Sequence, residues 1–423
     1  LTLSREPANR GALSNAGAVK QLAHQLRNSL PETMESATAA LSEIALKSTN
    51  HRVMVTQELT ILFSDREEEV RKRAGDALKD MAAKGGSGTQ MTVAMAGGID
   101  RFVSLLKEGS LEAQEYALWL LQQSPDNASK VSIATARCVR PIINVLRAGR
   151  LSVVAQEHGA ALLASLSSAV PGVGQQLLES NQAEMFRTGG IRPLVGLLAT
   201  GSAHAKRHAA MTLAHLARSP IYLGAPAPSS APAPAGLDSG GAPTQSRPTS
   251  DSSIARASLW AHVRAAVDQD AEVSSPQRAI VAAGAVDALV AWLVDSTCGP
   301  ADLGARALSD IAAQCVDAQQ AVLESGAVPP LVEMTALPTA LPTARTAASG
   351  AFKGEETDWP RWAAAALAAL AQDNAQCQIA IAEEVGGLSH LVEMLRRPCS
   401  GPARENAMRA LRHLAMNADN KVE

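Results

Sequence analysis

The stretch GGIRPLVGLLATGSAHAKRHAAMTLAHLA, Gly189 to Ala217, holds two apolar-periodic runs separated by a short break rich in Gly and Ser. In the second run Ala209, Leu213, Leu216 and Ala217 recur at three- and four-residue spacing, which on a helix makes one apolar stripe. One hairpin of this size cannot bury its own stripe, so a neighbouring hairpin has to cover it. The stretch is therefore either a site in itself, with three histidines on its second run, or one copy of something written many times.

Sliding Gly189-Gly190-Ile191 along the chain finds GAVKQLAHQL from Gly17, GGIDRFVSLL from Gly97, RCVRPIINVL from Arg137, GAVDALVAWL from Gly284, GAVPPLVEMT from Gly326 and GGLSHLVEML from Gly386. A degenerate copy, QELTILF, begins at Gln57. The first four starts are 40 residues apart, and the later intervals are 52, 95, 42 and 60. Downstream of the starts an Ala/Leu pattern returns: ALSEIA from Ala40, ALKDMA from Ala77, ALWLLQ from Ala117, LLASLS from Leu162, TLAHLA from Thr212, ALSDIA from Ala307, ALAALA from Ala366 and ALRHLA from Ala410. Shorter segments such as DNAQCQIAIAEE and DAQQAVLES precede most starts. Each unit thus reads as a short helix, a glycine break, a second helix and a longer third helix, and a period near 40 with this content marks an α-solenoid.

These residues resemble the armadillo repeat family, whose units carry a Gly-Ala or Gly-Ile start, a Leu-Val-x-Leu-Leu body and an Ala-Leu-x-x-Ile-Ala third helix. HEAT repeats are the nearest rival. The resemblance implies an all-α chain, a right-handed α-solenoid (superhelix) of about eight armadillo-like three-helix repeats, of the general adaptor type. Repeats one to five occupy 1–218, the sixth and the start of the seventh 254–334, and the remainder of the seventh, the eighth and the start of a ninth 358–423.

Two insertions interrupt the array. Residues 219–253 are dominated by Ala, Pro, Ser and Gly, cannot bury enough apolar surface to order themselves, and are expected to be a disordered loop or a linker between two arrays. The following 254–270 spaces Ile254, Trp260, Val263 and Val267 like an amphipathic helix. Residues 335–357, with a tandem ALPT, read as a flexible surface insertion. Punctuation agrees with the phasing: Ser64 and Glu67 make a capping box, and Ser275-Pro276 offers an N-cap with a first-turn proline. The chain opens at Leu1 on what reads as the tail of a first helix and closes on AMNADNKVE, the beginning of another, so a piece of a longer array is expected.

Composition excludes several classes of function. The chain has 423 residues, 46% of them apolar, and 38 basic against 41 acidic residues give a net charge of −3, so no global field gathers nucleic acid or anionic lipid. Five cysteines lie far apart with no CxxC pair, which fits thiols in a reducing compartment, cytoplasmic or nuclear. No apolar run reaches the ~18 residues of a membrane span. His204 and His208 share a helical face, but His215 lies roughly 10 Å further along the axis, and Lys206 and Arg207 between the pair oppose a metal ion. The glutamates of EEEVRKR, Glu67 to Arg73, meet Arg71, Lys72 and Arg73 at i,i+4 and read as a solvated helix start rather than a catalytic carboxylate cluster. The glycine-rich GGSGTQ and PGVGQQ follow no predicted strand and lack the features of a phosphate cradle. No catalytic residue, cofactor or metal site is assigned, and an enzyme is not expected.

The resemblance implies that partners dock along a groove lined by third helices. Family members that bind nuclear localisation signals carry a Trp and, four residues later, an Asn on each third helix. The matching Asn positions here are Glu43, Asp80, Leu120, Ser165, His215, Asp310, Ala369 and His413; the Trp positions are Ala39, Asp76, Tyr116, Ala161, Met211, Arg306, Ala365 and Arg409. Neither ladder survives, which disfavours a conventional importin-α role. Glu43, Asp76 and Asp80 make the first repeats acidic, Tyr116 and Met211 offer apolar anchors, and Arg207, Arg306, Arg409 and His413 bring cationic character to later ones; His215 and Asp310 complete the candidate groove set. The expected function is a non-enzymatic scaffold or adaptor for proteins or extended peptides, with acidic segments at the C-terminal half. Two other readings stay open: the substrate-recognition array of a ubiquitin ligase whose U-box lies elsewhere, and a transport receptor with a non-standard groove.

Overall fold

The computed structural model describes residues 4, 6–28, 30–46, 48–62, 65, 67–85, 99–122, 127–169, 174–219, 275–294, 301–336, 358–396 and 399–421. Among them all regular structure is helical. The first repeat is α1 (Pro7–Asn15), α2 (Ala18–Asn28) and α3 (Pro31–Ala45); the second is α4 (Thr49–Leu62) and α5 (Glu68–Gly85). The third shows α6 (Ile99–Glu108) and α7 (Leu111–Gln122), and the fourth α8 (Asn127–Thr135), α9 (Val139–Ala148) and α10 (Val153–Ser167). The fifth is α11 (Gln175–Arg187), α12 (Ile191–Thr200) and α13 (Ala203–Ala217), and the sixth α14 (Pro276–Ala282), α15 (Ala285–Val294) and α16 (Ala301–Ala312). The seventh is α17 (Val316–Glu324), α18 (Val328–Thr335) and α19 (Trp359–Ala371), and the eighth α20 (Ala375–Glu383), α21 (Gly387–Arg396) and α22 (Gly401–Leu414). A 3-10 turn at Asp419–Lys421 stands where the sequence suggests a ninth first helix.

The break between first and second helices is made by one residue in the left-handed region. Gly17, Gly189, Gly284, Gly326 and Gly386 have φ between 67° and 91°, and Arg137 fills the same role at 52°. Glycine lacks the Cβ that penalises this conformation, so it ends one helix and redirects the chain at little cost. The second repeat has no glycine there, and its first two helices run together as α4, which corrects the three-helix expectation at that repeat.

Third helices begin on capped serines, and several of these caps are gripped by the preceding repeat. Ser110, Ser152, Ser202 and Ser400 each accept a backbone N–H three residues on, at 3.2–3.4 Å. Arg71 Nε donates to Ser110 Oγ at 3.0 Å, Glu115 accepts from the Ser152 N–H, Glu157 accepts from Ser202 Oγ, and Asp358 accepts from Ser400 Oγ. Arg71 also reaches Glu112 at 3.8 Å, while Arg73 pairs with Glu69 at 3.2 Å in the expected i,i+4 manner. Ser275 caps α14 through the Arg278 N–H, with Pro276 at its first position as expected. Ser64, the other expected cap, lies outside the described residues, as do 220–274 and 337–357, which hold nearly all of both insertions and the 254–270 stretch.

The described residues form two compact units. In the first, 4–181 with 193–215, successive third helices α3, α5, α7 and α10 pack on one another. They bury Leu41, Ile44, Leu78, Met81 and Leu118 almost completely. In the second, 182–192 with 216–294 and 301–421, α19 lies against both α16 and α22. Its Ala363, Ala364, Ala366 and Ala368 are buried, and alanine is small enough to let three helices approach closely. Side-chain amides satisfy carbonyls that would otherwise be left open at third-helix ends: Gln277 donates to the Ala217 carbonyl at 2.9 Å, Gln378 to Ala371 at 2.8 Å and Gln319 to Ala369 at 2.9 Å. Among the described residues no single helix is long and apolar enough to cross a membrane.

Candidate functional site

The third helices place the candidate residues on their less buried faces. Glu43, Asp80, Ser165, His215, Asp310, Ala369 and His413, equivalent positions in successive repeats, are all half-buried, while the stripe residues Leu213 and Leu308 on the opposite faces are at most 1% exposed. Leu120 departs from the row and is buried. Asp76 and Arg409 are exposed, and Arg207, Met211 and Arg306 are half-buried.

Tyr116 does not stand out as an anchor. It is 7% exposed, meets Trp119 at 5.7 Å between ring centroids, and covers Gly75 so closely that a Cβ there would lie 2.5 Å from its ring. Glycine at 75 opens the space the ring occupies, so the tyrosine is a packing residue between α5 and α7. Glu43 pairs with Arg10, and His215 Nδ1 lies 3.0 Å from Ser167 Oγ. Both are held by their own repeat or its neighbour.

Arg306 and Asp310 come together in a cluster that the sequence reading did not assemble. The Arg306 guanidinium carbon lies 4.8 Å from the ring centre of Trp362 on the next third helix, and that of Arg361 lies 4.5 Å from the same ring. Asp310 is 3.9 Å from Arg218 Nε. Cations over an indole are attracted by the ring's negative face, and the flat guanidinium stacks well there. Burial pushes the Asp310 carboxyl up to about 6, against the opposing pull of Arg218 and Arg306. Trp362 and Arg361 were missed because they sit one turn before the ladder position Ala365; the signal was a tryptophan in a chain with only five.

The Asp310 environment gives a signed pH dependence. Its folded acidity lies above the ordinary 3.8, so the native state holds this proton more tightly than the unfolded chain does. The stabilisation is complete below pH 4 and is lost as pH rises towards 6, on the order of 2–3 kcal/mol. Asp310→Asn is expected to flatten that decline: its denaturation midpoint relative to the native chain should rise between pH 4 and pH 6.5. Parallel profiles for the two proteins would contradict the assignment.

Other reactive groups are quiet. Burial pushes the Cys138 thiol up to about 12 and that of Cys377 to about 11, which leaves neither a thiolate nucleophile near neutrality. Cys399 Sγ is hydrogen-bonded to the Met394 carbonyl at 3.1 Å. Among the described residues no three His, Cys, Asp or Glu side chains converge to hold a metal. His208 instead lines a shallow cleft of about 260 Å³ with Ala161, Ser165 and Lys130.

With this geometry in place, the chain can be set beside known structures. It superposes on an engineered protein of known crystal structure with a TM-score of 0.50 at 21% identity, over 75% of this chain and 96% of that one. The likeness shows the fold alone, an all-α array of helical repeats. A second engineered protein gives 0.48 at 22% identity over 98% of this chain and 93% of that one. A designed armadillo repeat protein, solved in complex with the peptide (KR)4, gives 0.45 at 17% identity over 74% of this chain and 98% of that one. No protein-family model and no curated protein matches the sequence.

Proposed function

We propose that this armadillo-like chain is a non-enzymatic scaffold that holds extended protein segments along its third helices. The observation that supports the reading is the half-exposed row at Glu43, Asp80, Ser165, His215, Asp310, Ala369 and His413. One side of these third helices is committed to the core, and the other presents a half-buried residue at the same register, polar or charged in all but Ala369; the third repeat, with buried Leu120, is the exception. Within each unit such a face offers several shallow contacts, which suits an extended peptide better than a small substrate.

The charge differs between individual third helices. Asp76 is exposed on α5, whereas α22 presents Arg404, Arg409 and Arg412 against Glu405, with Arg409 3.5 Å from that glutamate. An excess of exposed cations favours acidic segments at the C-terminal half by complementarity of charge. An acidic peptide carrying a photocrosslinker is expected to label α19 and α22, and Arg404→Glu with Arg409→Glu is expected to cut labelling roughly tenfold in low salt. Labelling confined to the first helices α17 and α20, or unchanged by the charge reversal, would reject the reading.

A further inference from the structure

We propose that Arg218, Arg306 and Arg361, ordered around Trp362 and Asp310, form a binding site for a phosphate monoester on a docked segment, a phosphoserine or phosphothreonine. The inference rests on the scaffold reading and adds what one part of the third-helix face recognises.

Three observations carry it. First, two guanidiniums lie over the Trp362 ring, at 4.8 and 4.5 Å from its centre, and are ordered by an indole instead of by carboxylates. Among the described residues no carboxylate lies within ion-pair distance of Arg306 or Arg361. Second, the buried Arg306 Nε–H has no hydrogen-bond acceptor among the described residues, so the donors of this guanidinium are not all used within the fold. Third, the charges match. Three arginines face one carboxylate, Asp310, and a phosphate monoester near neutrality carries ~1.5–2 negative charges. A surplus of about two positive charges suits this group better than a single side-chain carboxylate. Among the described residues, Asp302, one turn before Arg306 on α16, and Asp358, bonded to Ser400, are the other acidic groups near these helix starts.

Asp310 fits as the group that sets the site's shape. It anchors the long Arg218 side chain, 58% exposed, at the edge of α16, the helix that also carries Arg306. Planar guanidiniums held in this way give phosphate oxygens paired N–H donors.

The test is titration of the chain with O-phospho-L-serine, read on the indole N–H resonance of Trp362 assigned by Trp362→Phe, with L-glutamate at equal ionic strength as the comparison. Phosphoserine is expected to move that resonance saturably and at least fivefold more tightly than glutamate. Arg306→Gln and Arg361→Gln are each expected to weaken it about tenfold, and Arg361→Lys, which keeps the charge and loses the fork, by an intermediate factor. Equal response to glutamate would show a general anion site, and a response indifferent to all three substitutions would show binding elsewhere; either overturns the proposal. Each variant's helical signal and thermal midpoint report whether it is folded, and Arg361→Lys keeps the test open should a glutamine variant unfold. Because the free amino acid needs no docked segment, its failure beside successful crosslinking of the acidic peptide would remove this site and leave the scaffold reading standing.

Discussion

Trp292→Ala is expected to lower the unfolding free energy by ~3–5 kcal/mol, the range for a buried aromatic truncated in a core that relaxes only in part. Trp292 is 2% exposed in α15 and is among the largest fully buried side chains. Its ring lies where α16 comes close: a Cβ added at Gly304 would sit 3.5 Å from the indole and 3.1 Å from Leu293. Glycine at 304 therefore seats the third helix of the sixth repeat on its second helix, and removing the indole empties that seat. In a repeat array stability is a sum over units and their nearest neighbours, so loss at one interface weakens the repeats on either side. Urea unfolding followed by far-UV circular dichroism checks this, with Met408→Ala, 51% exposed, as a control expected within about 0.5 kcal/mol of the native chain. A midpoint for Trp292→Ala as close to native as that of the control would remove Trp292 from the core.

The second large effect is expected at the stripe of the third helices. Leu213→Ala in α13 and Leu308→Ala in α16 should each cost ~2–5 kcal/mol, because each leucine is at most 1% exposed and its loss leaves a cavity. The two positions are equivalent, second in TLAHLA and ALSDIA, so their effects should be alike if the register is right. Ala209, Leu216 and Ala217 are buried beside Leu213. Thermal midpoints measured for both variants provide the check: two unchanged midpoints would mean that the stripe faces solvent and that the phasing is off by part of a turn.

Much of this register was legible because it repeats. Glycine two residues before an Ile, Val or Leu start marks a left-handed break, and five such glycines adopt positive φ; the missing glycine near Gln57 accounts for the fused α4. The buried leucines follow from the three- and four-residue spacing alone. The site was harder to read. Whether Tyr116 points outward depends on Gly75, 41 positions earlier, which no local pattern connects to it. The Arg306–Trp362 contact joins residues 56 apart across the 335–357 insertion, and Trp362 lies a turn away from the ladder position that the family pattern singles out. Spacing within a repeat fixes which face is buried; contacts between repeats decide what the open face presents.

Methionine oxidation footprinting tests the register most directly, because one mass-spectrometric measurement samples buried and exposed faces throughout the chain. Met81, Met185 and Met394 are at most 1% exposed, whereas Met408 and Met416 are 51% and 59% exposed. Dilute peroxide acting on the folded chain is expected to oxidise Met408 and Met416 rapidly and to leave the other three nearly untouched until denaturant is added. Oxidation of Met185 and Met394 at the rate of Met408 in the native chain would contradict the stacked-repeat packing on which the docking face depends.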